Sequence, residues 1–470
     1  MRRRWVVTCV LLATAACSTV SSTRGPAPEA ETAPAEHGSF HKIATLEPVP
    51  GLKIHRYRSE KSGLELLLSP KPGIDVVAFV TAYKVGSRFE VNGRTGLAHL
   101  FEHMMFRGTE HYPVPFETLS SWGDRFNAFT TPDVTEYHEL VPKKLFDEAA
   151  RFESERMRKL LITPEGFDTE RGAVVSERKM RTEDSPMGRL YWELNQLAYD
   201  RHPYKTGPIG WQEDLDATTF DDALAFYKRF YAPNRAVISL VGDFSVVEAL
   251  EQMDRRYGDF DSQSFEEPRI PEEPARKEMR RKVIPMKVES VFMADAVFGP
   301  TYDDPNAPVD SLIANLLADD KLGYLAGELV EKGVARSVSG DASPDMDRGL
   351  AGVFVIGNPR VSTSKLERAY ESALERFPSW LTAERLESFK LYYLAAQWES
   401  LRDPLNLAQE TAHAAATTGN PAWEFEFLSK VQDVSLEQVR ARWSSYWRKS
   451  ARTRVILEPA KKTAPLGGKK

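Results

Sequence analysis

Two histidines and a glutamate share the short stretch Gly96-Leu97-Ala98-His99-Leu100-Phe101-Glu102-His103-Met104-Met105-Phe106. If this stretch is helical, His99 and His103 lie one turn apart on one face, close enough for both imidazoles to hold one ion. Glu102 then stands beside the pair, where its carboxylate reaches a ligand held by both. A glutamate in that position serves as general base for a zinc-activated water rather than as a metal ligand. The chemistry implied is hydrolysis. The same three residues also suit an ordinary solvated helix face, so the pattern alone is suggestive.

A catalytic zinc needs a third protein ligand and an open fourth position. The best candidate lies in Thr169-Glu170-Arg171-Gly172-Ala173-Val174-Val175-Ser176-Glu177-Arg178. Glu170 and Glu177 are two helical turns apart, so both carboxylates point the same way. A helix facing the histidine pair would put Glu177 on the metal and Glu170 behind it, bonded to a ligand. Taken alone, paired glutamates on a charged helix also suit a solvated face.

Further matches follow in order. HLFEHMMFRGT (99–109) precedes Asn127-Ala128-Phe129-Thr130, then Asp133, Thr135 and Tyr137 in a D-x-T-x-Y pattern, then ERGAVVSE (170–177). Later come His202-Pro203-Tyr204 with Ile209-Gly210, and Tyr231-Ala232-Pro233-Asn234-Arg235 leading to Val241-Gly242-Asp243. In this ordered set the chain resembles the pitrilysin/insulinase family of inverted zinc metallopeptidases, within its bacterial branch similar to mitochondrial processing peptidases. The resemblance implies that His99, His103 and Glu177 bind one zinc per chain, that Glu102 activates the water, and that Glu170 supports the site. Arg178, next to the last ligand, is a further candidate for orienting the ligands. By the same resemblance, Asn127, Ala128 and Phe129 form an edge strand to which a peptide substrate adds itself. Gly123 keeps the first of two glycines the family often has before that strand; Asp124 replaces the second.

The elements that must position these residues read as follows. Leu64 to Leu68 and Val76 to Tyr83 are predicted strands around the turn Lys71-Pro72-Gly73, and Val85-Gly86-Ser87 leads into the histidine helix. Phe126 to Thr130 and Thr135 to Val141 are predicted strands, with Pro132 favouring an edge position. His138 and His202 are expected to be structural. The chain has 470 residues, 42% hydrophobic and 28% charged, which suits two domains with real cores. Met1-Arg2-Arg3-Arg4 before apolar Val6 to Ala16 reads as a signal peptide (1–16), whose removal takes the formal charge from −6 to −9. This mild acidity does not suit a nucleic-acid surface. Cys17, after Leu12-Ala13-Thr14-Ala15-Ala16, resembles a lipoprotein cleavage site, with ordinary signal-peptidase cleavage as the alternative. An exported protein is expected, periplasmic or anchored to the outer membrane facing the periplasm. Cys9 and Cys17 are the only cysteines, so no disulfide framework is expected in the body.

Residues 17–39 read as a disordered tether, 40–260 as the metal-bearing domain, 261–281 as a proline-rich linker, 282–459 as a second domain, and 460–470 as a tail. Val291 to Asp319 repeats the strand, loop and helix order of Val76 to Phe106, without its metal residues. The fold class expected is α+β: two homologous α/β-sandwich domains, each an antiparallel-rich sheet with packed helices. In the family such domains form a half-clamp around a substrate chamber. Active relatives carry an arginine-tyrosine pair in the second half, and the corresponding run here is Leu329-Val330-Glu331-Lys332-Gly333-Val334-Ala335-Arg336-Ser337-Val338. Val330 and Arg336 stand where the pair should be. The expected arrangement is therefore a heterodimer with a second subunit that lacks zinc but has the pair; Arg336 acting alone, or a second copy of this chain, is the alternative. The expected activity is a zinc endopeptidase for unfolded peptides or short polypeptides. Its rivals are a non-catalytic scaffold of the same fold and a lipoprotein that binds peptide or metal without cutting.

Overall fold

The computed structural model describes residues 33–460. Two mixed sheets hold it together. The strands of the first are β1 (Glu36–His37), β2 (Phe40–Val49), β3 (Leu52–Ser59), β4 (Glu65–Pro70), β5 (Val76–Tyr83), β6 (Phe126–Thr130), β7 (Thr135–Pro142) and β8 (Ala236–Gly242). They run in the order β1-β2-β3-β4-β8-β5-β7-β6. The second sheet contains β9 (Arg280–Met286), β10 (Phe292–Phe298), β11 (Ala335–Asp341), β12 (Leu350–Gly357) and β13 (Thr453–Pro459), in the order β11-β12-β10-β13-β9.

The two sheets repeat one plan. In β4-β8-β5-β7-β6 only the β4/β8 pair is parallel; in β9-β13-β10-β12-β11 only β9/β13 is. Both halves also follow their central strand with a helix, α1 (Leu97–Met104) after β5 and α4 (Ala307–Ala318) after β10. The central strands are buried on both faces, as their apolar sequences require. Asp295 interrupts the run in β10, and Arg452, just before β13, and Arg454 within it neutralise it at 2.9 and 3.0 Å. The α+β class and its antiparallel-rich sheets are thus as the sequence led us to expect.

Each half lends a helix to the other. Helix α3 (Pro186–Ala198) buries Leu190 and Leu194 against Phe292, Ala294, Val455 and Leu457 of the second sheet. Helix α5 (Pro404–Thr418) lies across β5 and β8 of the first sheet. Its alanines, Ala408, Ala412 and Ala415, let it approach closely, and Thr411 shares a buried hydrogen bond with Ser239 of β8 at 2.9 Å.

The margins differ slightly from the sequence reading. Glu36 and His37 pair with His41 and Phe40, so ordered chain begins before residue 39. Backbone hydrogen bonds capture those residues even though their side chains are polar. The linker gives way to β9 at Arg280 rather than after 281. The signal peptide, Cys17, the tether up to residue 32 and the tail from 461 lie outside the described residues. Among the described residues no helix is long and apolar enough to cross a membrane.

Candidate metal centre

Helix α1 is short and strongly directed. Leu97, Leu100, Phe101 and Met104 are buried, leaving His99 and His103 on the remaining face. Its start is fixed by Gly96 at φ 88°, a left-handed conformation that favours glycine. Buried Glu90 accepts hydrogen bonds from the Gly96 and Ala98 amides, both at 2.8 Å, so its carboxyl group caps the helix N-terminus. Helix α2 (Pro164–Arg178) is capped by Thr163, whose hydroxyl accepts from Gly166 N, with Pro164 in the first turn.

The two helices bring the expected ligands together. Glu177 Oε2 lies 3.6 Å from His99 Nε2 and 3.2 Å from His103 Nε2. The imidazole rings are 4.9 Å apart. The Glu177 oxygen is buried, yet its geometry to either nitrogen makes no hydrogen bond. An acceptor left so at the meeting point of two imidazoles fits a shared cation, and its spacing matches the roughly 3.3 Å between donors around a tetrahedral zinc. Among the described residues this is the one His/Cys/Asp/Glu group whose donor atoms all fall within 4.8 Å.

Around the trio, Glu170 Oε2 sits 3.3 Å from His103 Nδ1, and Arg107 lies 3.4 Å from the other Glu170 oxygen. Burial lowers His103's pKa, but Glu170 and Glu177 outweigh it and raise it to about 9. His99, more deeply buried and beside His103, is driven down to about 4. Glu102 accepts a hydrogen bond from the Thr130 hydroxyl at 2.7 Å. Burial raises its pKa despite that bond.

Arg178 is a correction. Its guanidinium bonds the Gly210 carbonyl at 3.1 Å and Glu183 at 3.1 Å and lies over Trp192; it touches none of the ligands. One residue along a helix turns the side chain by about 100°, away from the Glu177 face. Arg181, four residues on, does lie on that face and reaches Glu177 Oε1 at 2.6 Å. The i, i+4 spacing was the available signal. Thr130 and Arg107 reach the site only through tertiary packing, and Glu90 acts from outside the helix it caps.

Strand β6 forms the edge of its sheet, paired with β7 alone. Asn127 is exposed, Ala128 buried and Phe129 half-buried. Two clefts flank the trio along this strand. One, of about 460 Å³, is lined by His99, Glu102, Ala128, Tyr191 and Trp192. The other, of about 580 Å³, is lined by Glu102, His103, Phe106, Phe116 and Asn127. His138 and His202 take part in structural contacts: His138 with Gln409 of α5, His202 with Asp347 at 3.0 Å. Arg336 is exposed at an irregularity in the pairing of β11, and Val330 packs on the core.

Comparisons with known proteins point to one family. The model described as Insulinase (Peptidase family M16) matches residues 67–206, and that described as Peptidase M16 inactive domain matches 217–390. Zinc protease PqqE of Helicobacter pylori is 28% identical over 436 residues, 88% of this chain and 95% of that protein. The insulin-degrading enzyme of Drosophila melanogaster is 28% identical over 284 residues, but only 28% of its length is matched. A protease structure from H. pylori aligns with TM-score 0.82 at 24% identity, covering 87% of this chain and all of that one. An M16-like peptidase from Alicyclobacillus acidocaldarius aligns at 0.73 and 21% identity, covering 89% of this chain and 100% of that one. Together with the paired sheets, the two family matches assign the chain to the insulinase family of peptidases, M16.

Proposed function

We propose that this chain is a zinc-dependent endopeptidase acting on unfolded peptides or short polypeptides. His99, His103 and Glu177 hold the metal. When bound, zinc supplies Lewis-acid polarisation of a peptide carbonyl and an acidified water. Glu102 takes the proton of the attacking water and returns it to the leaving amine, with Thr130 fixing its carboxylate. The substrate pairs with β6 at Asn127, Ala128 and Phe129, so that its backbone is held while its side chains enter the two clefts. Glu170 orients His103. The carrying observation is the buried Glu177 oxygen that faces two imidazole nitrogens without a hydrogen bond, with a base alongside. Neither metal binding nor a base is needed by a pure scaffold.

The oxyanion side of the site is incomplete on this chain. A valine at position 330 donates no hydrogen bond, and losing one such donor typically costs about a hundredfold in turnover. A second, zinc-free subunit would supply the arginine-tyrosine pair. The leader and Cys17 fit export to the periplasm, with lipidation at Cys17 as an anchor.

One experiment separates the readings. Glu102→Gln should keep one zinc per chain after dialysis and lose peptide cleavage by about 10²–10⁴-fold. Undiminished cleavage refutes the mechanism; absence of metal in the native chain favours the scaffold. Running the native chain with and without a candidate zinc-free subunit in the same assay tests the partner, which fails if the chain alone is fully active.

A further inference from the structure

Glu177 has to present one carboxylate oxygen to two imidazoles, yet a glutamate side chain turns about several bonds. Its Oε2 lies 3.6 Å from His99 Nε2 and 3.2 Å from His103 Nε2, buried and without a hydrogen bond. Its other oxygen, Oε1, is engaged by the Arg181 guanidinium at 2.6 Å. The arginine side chain is 64% exposed and that of Glu177 only 13%. An ion pair with so exposed a partner contributes little to stability. Folding therefore gains little from Arg181, and its place on a candidate metal ligand calls for another reason.

The backbone that carries Arg181 is fixed at several points. Beyond Arg178, helix α2 widens into a single π turn, Lys179–Glu183. The Asp184 amide closes it by donating to the Lys179 carbonyl, five residues back, at 3.0 Å. The Thr182 hydroxyl donates to the Arg178 carbonyl at 2.7 Å, and the Arg178 side chain reaches Glu183 across the turn at 3.1 Å. Gly188, in the first turn of α3, packs so closely on the Arg181 carbonyl oxygen that an added methyl would overlap it. Single π turns are rare and occur frequently at functional sites. This one begins two residues after Glu177 and carries the cation that faces it. Arg181 also lines the cleft shared by His99 and Glu102, so its side chain stays on the side of the metal centre.

We propose that Arg181 is a positioning residue of the metal centre: by holding Oε1 it orients the Glu177 carboxylate in advance, with Oε2 left facing the two imidazoles. This rests on the metal-binding role of Glu177 given above. Removing Arg181 has two opposed effects. A positive charge beside the site repels a divalent cation, so its loss alone would tighten zinc binding. A carboxylate released to several rotamers must be reordered when the ion binds, which weakens binding. The sign of the change thus tells a positioning residue from a neighbouring charge.

Zinc affinity of the full chain is measured by competition with a chromophoric chelator for the native chain, Arg181→Ala and Arg181→Lys. Alanine should weaken binding by about 10–100-fold, the usual range for a group that orients a ligand. Lysine, which keeps a cation within reach of Oε1, should recover most of that loss. The substituted side chain is largely exposed, so all three chains should fold, as far-ultraviolet circular dichroism will show. Unchanged or tighter binding in Arg181→Ala overturns the proposal, and so does a lysine variant no better than the alanine one. A native chain that binds no zinc overturns the metal centre itself, a separate failure seen before any substitution is made.

Discussion

Glu170 and Glu177 show how far one face of a helix can be followed in a sequence. Seven-residue spacing places both on the side that meets His103, and both meet it. Adjacency misleads where periodicity does not: Arg178 neighbours Glu177 in the chain but bonds Gly210, while Arg181 reaches Glu177. Thr130 could not be read at all, since its contact with Glu102 spans two elements joined only by folding. Glu170 touches His103 without itself being placed on the proposed metal, so Glu170→Ala should weaken zinc binding by about 10–100-fold, measured by competition with a chelator. Glu410 of α5 and Glu424 line a cavity together with buried Glu136, and they give a pH prediction at the same scale. Glu410 and Glu424 have folded-state pKa values raised above the ordinary 4.3 by burial and repulsion. Their contribution to stability is complete below about pH 4 and is lost as pH rises through about 7 and 8. The Glu410→Gln, Glu424→Gln double variant should therefore match the native melting temperature at pH 4 and exceed it at pH 8.5. A constant difference across that range would contradict the assignment.

Strands whose sequences alternate or run apolar were legible almost to the residue, β5 at Val76–Tyr83 and β6 at Phe126–Thr130 among them. The histidine helix was legible as a helix, but not what holds its entry. That depends on Glu90 from the preceding loop and on Gly210 from a distant one, whose added Cβ would lie 2.6 Å from Gly96 Cα. Gly96 itself sits at φ 88°, and a methyl there would come 2.8 Å from Leu215 Cδ2. A left-handed residue with a side chain costs about 1–2 kcal/mol, while the leucine tip can yield. Gly96→Ala should therefore fold with a lower melting temperature and also bind zinc less tightly, because α1 carries two of the proposed ligands and starts at this residue. Loss of stability with undisturbed zinc affinity would mean that the ligands are positioned independently of the helix start.

The amphipathic faces of α3 and α5 announce burial, but a pattern within one chain does not say which sheet will cover it. The sequence division into consecutive halves follows the composition, with proline-rich chain between them, whereas the packing crosses that division twice. Leu190 and Leu194 of α3 are fully buried, and most of their apolar neighbours belong to β10 and β13. Burying a leucine is worth about 1.5–3 kcal/mol, so a first half expressed alone would expose two such side chains and leave the second sheet uncovered. The reverse loss strips α5 and its Thr411–Ser239 bond from β8. Neither part has a closed core. Residues 33–279 and 280–460 produced separately should be insoluble or unfolded, and their co-expression should restore a soluble complex with the zinc affinity of the intact chain. The intact chain should melt in one calorimetric transition, because the helix that completes each sheet is tethered to the other. Two resolved transitions, or a lone first half that folds and binds zinc, would show that the exchanged helices decorate the two cores rather than join them.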